Sequence, residues 1–166
     1  MIPADPHILV TYKKSRYEQL VIESDKDQGL EKLVRAGDTS IDAMRQSHRT
    51  HCDNLDRVCE ELTRRDLSFD RIYRGEVDST EEYDLIMPVG GDGTVLDISH
   101  RVEDIPVLAI NSHPTSSVGY FCAGVADEIS TLLDRTLEAR WEPLHLQRFH
   151  VCIDDEDCSP PILNDV

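Results

Sequence analysis

Residues 85–100 constrain the fold more than any other part of the chain. The stretch opens with a short apolar run, as buried strands do, and continues through Val95, Ile98 and Val102 at helical spacing. The two periodicities meet at Gly-Gly-Asp-Gly-Thr, residues 90–94. A strand that turns through glycines into a helix presents backbone N–H groups at the positive end of the helix dipole. The stretch therefore predicts an anion site, and a nucleotide phosphate is the anion expected there.

Asp92 lies in the middle of this turn. A carboxylate would not help a loop that only holds phosphate, because like charges repel. An ionised aspartate at a helix N-terminus can instead accept a proton from a hydroxyl group, or reach phosphate oxygens through Mg²⁺. The alternative is that Asp92 only caps the helix and the glycines form a tight turn. Five specified residues between a strand and a helix favour the functional interpretation.

Composition narrows the classes of partner. The chain has 166 residues, of which 39% are hydrophobic and 30% charged, and this is typical of one ordinary globular domain. No apolar run is long enough to span a bilayer, and the N-terminus lacks a signal-peptide pattern, so we expect a cytoplasmic protein. The net charge of −16 argues against nucleic acid or an anionic membrane as a partner.

The five cysteines have no C-x-x-C spacing, which indicates reduced thiols rather than a disulfide framework or a zinc site. His48 and His51 could share a metal, but the sequence has no third ligand at a spacing typical of metal sites. We therefore interpret them as core-edge or surface histidines. Lys13 and Lys14, which follow the first predicted strand, could meet a phosphate. A solvated lysine pair is the favoured interpretation.

The remaining patterns predict a Rossmann-like α/β fold. Apolar runs at 8–12 and 106–110 are typical of buried strands, and residues 39–65 form an amphipathic helix pattern. Strands that alternate with helices indicate a parallel sheet flanked by helices. From Trp141 onward the apolar residues alternate at period two, which predicts antiparallel sheet. We therefore expect an α/β domain over 1–140, the start of a β-rich second domain over 141–166, and a longer parent chain.

Three motifs together resemble the NAD kinase family. They are the Gly-Gly-Asp-Gly-Thr turn, the loop that opens at Asn111 and closes with Gly-aromatic at 119–120, and Asn164-Asp165 near the end. The resemblance implies transfer of a phosphoryl group from ATP or polyphosphate, with Mg²⁺, to the 2′-hydroxyl of the adenosine ribose of NAD or NADH. It also implies a homo-oligomer for the full-length protein.

The resemblance implies roles for individual residues. Asp92 would contact the 2′-hydroxyl and accept its proton, and Tyr120 would line the adenine pocket. Asn164 and Asp165 would bind the ribose on the nicotinamide side. The remaining nucleotide-binding positions would be Gly90, Gly91, Gly93 and Thr94 at the phosphates, with Asn111 and Ser112 at the start of the loop.

Two questions stay open from the sequence. The Asn-Ser-x-Pro start of the long loop is similar to the divergent branch of the family with plant NADH kinases and animal mitochondrial NAD kinases, so the preference between NAD and NADH is undecided. A non-catalytic nucleotide-binding module is the main alternative function. A lipid kinase of the diacylglycerol kinase type ranks lower, because residues 95–100 lack the asparagine-bearing segment that usually follows the motif there.

Overall fold

A five-stranded parallel sheet forms the centre of the molecule. The computed structural model describes residues 2–22, 39–154, 156–157 and 160–163. The strand order is β2-β1-β3-β4-β5, with every pairing parallel, which confirms the predicted α/β class. The strands are β1 (Ile8–Tyr12), β2 (Phe69–Tyr73), β3 (Leu85–Gly90), β4 (Ile110–Asn111) and β5 (Gly124–Val125).

The two central strands bury both of their faces, as their nearly continuous apolar sequences predict. All six residues of β3 and the first four of β1 are buried. Successive side chains on a strand point to opposite faces, so β1 and β3 contribute to two separate cores. Helices α1 (Thr39–Arg64) and α3 (Ile129–Leu137) cover one face, and α2 (Asp92–Ser99) covers the other.

Helix α1 ends within one residue of its predicted boundary. Its buried side chains recur at helical spacing and face the first core: Ile41, His51, Leu55, Val58 and Leu62. His51 is buried and His48 is half-buried, which confirms their interpretation as core-edge residues. Upstream, Ser15 and Glu18 form the capping box that the S-x-x-E pattern predicts, and it opens a helical turn over Glu18–Ile22. A short second helix is also predicted from the spacing of Leu30, Leu33 and Val34, which lie outside the described residues.

The strand predicted at 106–110 is only partly formed. Regular pairing is confined to β4, and a single bridge joins Val107 to Ile86. Pro106 has no N–H to donate, so it contributes only its carbonyl, which accepts from the Ile86 N–H at 3.0 Å. The Leu108 N–H donates to the Ile86 carbonyl at 2.9 Å, so the bridge at Val107 is complete. The ladder is interrupted after it because Pro88 of β3, two residues beyond Ile86, has no N–H to donate toward this strand.

The C-terminal segment pairs in the antiparallel sense, as predicted. Strands β6 (Cys152–Ile153) and β7 (Glu156–Asp157) flank the acidic turn, and Phe149 bridges Ile162. Leu144 and Leu146 belong to no strand and are exposed, so the prediction of a strand there is wrong. No other segment of the described chain pairs with them, and alternation alone cannot supply a neighbour.

Arg148 ties this C-terminal segment back to the parallel sheet layer. Its guanidinium donates to the Ser99 carbonyl at 2.6 Å and to the Val102 carbonyl, at the end of α2. A cation at a helix C-terminus is favourable because the helix dipole is negative there. The division into two domains at residue 140 stays a prediction. Across the described ranges, no helix combines the length and apolar character needed to cross a membrane.

Candidate functional site

The motif lies at the point where the sheet changes its direction of growth. From β1 the chain moves outward to β2, returns to β3 on the other side of β1, and then continues through β4 to β5. Open α/β sheets bind ligands at such a switch point, beyond the carboxyl ends of the strands. The carboxyl ends of β1 and β3 are neighbours, with Tyr12 opposite Val89, so the residues that follow each strand share one crevice edge.

The three glycines of the motif serve different purposes. Gly90 and Gly91 are buried: a Cβ at Gly90 would overlap the Thr94 side chain, and one at Gly91 would lie 2.6 Å from Ser117 Oγ. Gly93 is exposed, and a Cβ there would meet nothing within 4 Å. The first two glycines therefore allow tight packing, whereas Gly93 leaves open space beside the backbone.

Asp92 is the first residue of α2, and its carboxylate turns away from its own helix. The N-cap is Gly91, in an extended conformation, so the alternative that Asp92 caps the helix is wrong. Asp92 Oδ1 accepts a hydrogen bond from the Phe121 N–H at 2.8 Å, while its other oxygen accepts none from the described residues. The side chain is half-buried, so one carboxylate oxygen is fixed by the neighbouring loop and the other is available to a ligand.

The start of α2 presents unused hydrogen-bond donors. The first N–H groups of a helix have no intrahelical acceptor. Thr94 N–H donates to the Gly91 carbonyl at 2.8 Å, which leaves the N–H groups of Asp92 and Gly93 without a partner among the described residues. Thr94 itself is buried, and its hydroxyl makes no hydrogen bond within the same set. Two backbone donors at the positive end of a helix favour an anion.

The loop after β4 uses its polar groups internally. Asn111 is 4% exposed; its amide donates to the Ser117 carbonyl at 2.9 Å, and its oxygen accepts from the His113 N–H at 3.0 Å. Ser112 is fully buried, and its N–H donates to the Gly90 carbonyl at 2.8 Å. Gly119 has φ +64°, and a Cβ there would lie 2.5 Å from the Asn111 amide nitrogen. The assignment of Asn111 and Ser112 as ligand-binding residues stays a prediction.

His51 joins the ends of two strands. Its Nε2 lies 2.9 Å from the Lys13 carbonyl, which can only accept, so Nε2 carries the hydrogen and Nδ1 accepts from Ser112 Oγ at 2.7 Å. Burial, together with the positive charge of Lys13, lowers the pKa of His51 to about 4. The imidazole is therefore neutral near pH 7. Its place on the apolar stripe of α1 was the only sequence signal for this role.

Two cations stand beside the motif. Arg74, directly after β2, donates to the Gly93 carbonyl at 2.8 Å. Lys13 is half-buried, and burial together with the positive charge of Arg74 lowers the pKa of its amine. Lys14 extends over the Tyr73 ring, 4.7 Å from its centroid. These placements differ from the solvated lysine pair that the sequence favoured. Arg74 was missed, although its place at the end of a strand was the available signal.

Tyr120 and Cys122 flank the residue that holds Asp92. The Tyr120 ring is 81% exposed and meets Phe121 edge-on, with ring centroids 5.3 Å apart. Its faces are therefore available for stacking. Burial raises the pKa of the Cys122 thiol to about 11, and the negative charge of Asp92 acts in the same direction. The thiol stays protonated near neutral pH, so it does not supply a thiolate nucleophile.

Metal-ligating side chains do not converge in the described part of the chain. No group of three or more His, Cys, Asp or Glu residues there could hold a metal ion. Asn164 and Asp165, to which the resemblance assigned the second ribose, lie outside the described residues.

Comparison with known proteins identifies the family. Residues 10–141 match the profile of the ATP-NAD kinase N-terminal domain. A probable NADH kinase of Oryza sativa subsp. japonica is 30% identical over 135 residues, which cover 71% of this chain and 42% of that protein. NAD kinase 2, mitochondrial, of Xenopus tropicalis is 27% identical over 126 residues, covering 71% of this chain and 30% of that protein.

An archaeal relative matches a similar stretch. The NAD kinase of Thermococcus kodakarensis is 27% identical over 133 residues, covering 76% of this chain and 46% of that protein. The chain thus spans less than half the length of each of these relatives. Because the family profile covers most of the sequence, the chain belongs to the ATP-NAD kinase family.

Proposed function

We propose that this chain is the α/β part of an NAD(H) kinase, which transfers a phosphoryl group from ATP to the 2′-hydroxyl of the adenosine ribose of NAD or NADH. The relatives are named for NAD or NADH, which supports a dinucleotide acceptor and does not favour the lipid-kinase alternative. Four points stay predictions: the use of polyphosphate as a donor, the preference between NAD and NADH, a homo-oligomer and a cytoplasmic location.

The observation that carries the proposal is the position of Asp92. The Phe121 N–H holds one carboxylate oxygen, and the other is left for a substrate hydroxyl. Ionised carboxylates accept protons in general base catalysis, and the hydroxyl becomes a better nucleophile as its proton is removed. Tyr120, one residue before Phe121, has an exposed ring on which an adenine could stack. We propose that Asp92 accepts the 2′-hydroxyl proton and that Tyr120 positions the adenine ring.

The start of α2 is suited to the phosphates. The N–H groups of Asp92 and Gly93 can donate to phosphate oxygens, and the open space beside Gly93 admits them. Phosphoryl transfer needs alignment of the attacking oxygen and neutralisation of charge more than covalent chemistry by the protein. The glycine turn supplies donors, and Asp92 supplies the base next to them.

Magnesium fits this site only as an ion that arrives with the nucleotide. Mg²⁺ is usually held by one or two carboxylates together with substrate phosphates. Asp92 is the carboxylate of the motif, and no larger cluster exists among the described residues. Asp92 would be the motif residue closest to such an ion, and the ion would supply charge neutralisation for the transferring group.

The direct test combines the protein with ATP, Mg²⁺ and either NAD or NADH, and measures NADP or NADPH. Product with either acceptor supports the kinase, and the ratio of the two rates gives the redox preference. A parallel reaction replaces the dinucleotide with diacylglycerol vesicles. Turnover only with the lipid would overturn the proposal in favour of a lipid kinase. Nucleotide binding without any product would favour a non-catalytic binding module.

A further inference from the structure

We infer that Lys13 and Arg74 form a cationic clamp that binds the phosphate oxygens of a nucleotide held at the glycine turn. The inference rests on the proposed function and deepens it, because it names side chains outside the motif. The ligand chemistry is a chain of two or more phosphates, which either the phosphoryl donor or the dinucleotide could supply.

The sheet register brings the two residues to the motif. Tyr12 of β1 lies opposite Tyr73 of β2 and opposite Val89 of β3. Each of these three residues is followed by a member of the site. Lys13 therefore leaves the sheet between Arg74 on one side and Gly90 on the other. Parallel strands place their carboxyl ends at one edge, so this convergence follows from the register alone.

Arg74 also touches the motif directly. One of its guanidinium N–H groups donates to the Gly93 carbonyl at 2.8 Å. A guanidinium has five N–H donors in a planar fork, and this bond uses one of them. The other donors of Arg74 have no acceptor among the described residues, and they lie beside the glycine that leaves open space for a ligand. The fork geometry matches the two oxygens of a phosphate.

Charge makes the pair unusual for this protein. The chain has 33 acidic and 17 basic residues, and most of the described arginines form ion pairs with carboxylates. These are Arg45, Arg57, Arg64, Arg65, Arg71, Arg101 and Arg140. Lys13 and Arg74 instead repel each other, and within the described ranges neither has a carboxylate at ion-pair distance. A bound polyanion would relieve this repulsion.

The half-buried position of Lys13 strengthens the argument. A cation loses hydration when it is buried, and this loss is unfavourable unless an opposite charge compensates it. His51 donates a hydrogen bond to the Lys13 carbonyl. The positive charge of the Lys13 amine has no carboxylate partner in the described part of the chain. A phosphate at the switch point would supply the missing negative charge.

The test measures binding to Lys13→Gln, Arg74→Gln and the double variant, with tripolyphosphate, ATP and NAD as separate ligands. The matched control is Arg101→Gln, because Arg101 lies beyond the far end of α2 and already pairs with Asp97. Calorimetry gives affinities at two salt concentrations, and circular dichroism checks that each variant folds. Lys13→Arg and Arg74→Lys keep the charge.

We expect each glutamine substitution to weaken tripolyphosphate binding about tenfold, as for hydrogen bonds to charged groups. Lys13→Arg and Arg101→Gln should remain near wild type. Arg74→Lys keeps the charge but loses the fork, so its affinity should lie between those of wild type and Arg74→Gln. The salt dependence of binding should flatten in the double variant, because fewer charges remain to be screened. A larger loss for ATP than for NAD would assign the clamp to the donor, and the reverse would assign it to the dinucleotide.

Unchanged affinity for all three ligands in the folded double variant, with wild type binding them normally, would overturn the clamp and leave the proposed function intact. If wild type itself bound neither ATP nor NAD and formed no NADP(H), the proposed function would fail and the clamp with it. The two failures are therefore distinguishable.

Discussion

The turn after β3 and the loop after β4 lie at the same edge of the sheet but use their polar groups in opposite ways. After β3, one carboxylate oxygen of Asp92 and the N–H groups of Asp92 and Gly93 have no hydrogen-bond partner among the described residues. After β4, Asn111 and Ser112 are buried and hydrogen-bonded within the protein. Neighbouring strands can thus contribute a reactive turn and the scaffold that supports it.

The scaffold has a direct connection to the turn. Ser112 N–H donates to the Gly90 carbonyl, and Phe121, near the end of the loop, holds the Asp92 carboxylate. Precise placement of a catalytic group requires such support, because small displacements reduce the rate strongly. The comparison predicts that changes in the turn alter activity, whereas changes in the loop alter stability first.

The largest expected effect is that of Asp92→Asn. The amide keeps the size of the side chain but cannot act as a base, so we expect the rate of NADP(H) formation to fall by roughly 10²–10⁴-fold. Asp97→Asn is the control on the same helix, because Asp97 pairs with Arg101 on the exposed side. Near-normal turnover by folded Asp92→Asn would show that the turn is not the reactive element.

The next effect concerns pH and the buried His51. The pKa of His51 is about 4 in the fold and near 6.5 in the unfolded chain, so only the unfolded state is protonated between these values. The free energy of unfolding should therefore fall as the pH drops from about 6.5 to about 4, by roughly 3 kcal/mol at most. Denaturant titrations of wild type and His51→Gln measure the difference, and parallel pH profiles would contradict it.

Asn111→Ala should act on stability rather than on chemistry. The buried Asn111 side chain loses two hydrogen bonds, and the Ser117 carbonyl and His113 N–H lose their partner. We expect the free energy of unfolding to fall by about 1–3 kcal/mol. The ratio of kcat between variant and wild type, measured well below the midpoint of unfolding, should stay near one. If the variant kept its stability but bound nucleotide more weakly, Asn111 would be a ligand-binding residue rather than a structural one.

Gly93→Ala is expected to have the smallest effect on stability, with the opposite sign. A Cβ there meets no neighbour, and alanine is the better helix former, so we expect a gain of up to about 1 kcal/mol. The added methyl group narrows the approach to the free N–H groups, so ATP binding should weaken. Thermal melts and calorimetry measure the two effects. A variant that gained stability and kept wild-type affinity would show that ligands do not approach Gly93 closely.

Sequence patterns with a single physical solution were predicted closely. The run at 8–12 is short, nearly all apolar and rich in β-branched and aromatic residues, which favours a buried strand, and β1 spans those residues. The long stripe of α1 could be buried only as a helix. The strand at 106–110 was less well predicted, because a proline in the ladder lacks an N–H donor. The pairing at 144–146 was also less well predicted, because it requires a neighbouring strand and an alternating pattern does not reveal whether one is present.

By itself, the sequence determined the order of strands and helices, the glycine turn and the presence of Asp92 within it, because periodicity and glycine content act over a few residues. Only the tertiary structure decided which side chains meet there. The register brings Lys13 and Arg74 to the motif, and the long helix brings His51 to Ser112 across 61 residues. Such contacts depend on how the strands are ordered in space, which local patterns do not encode.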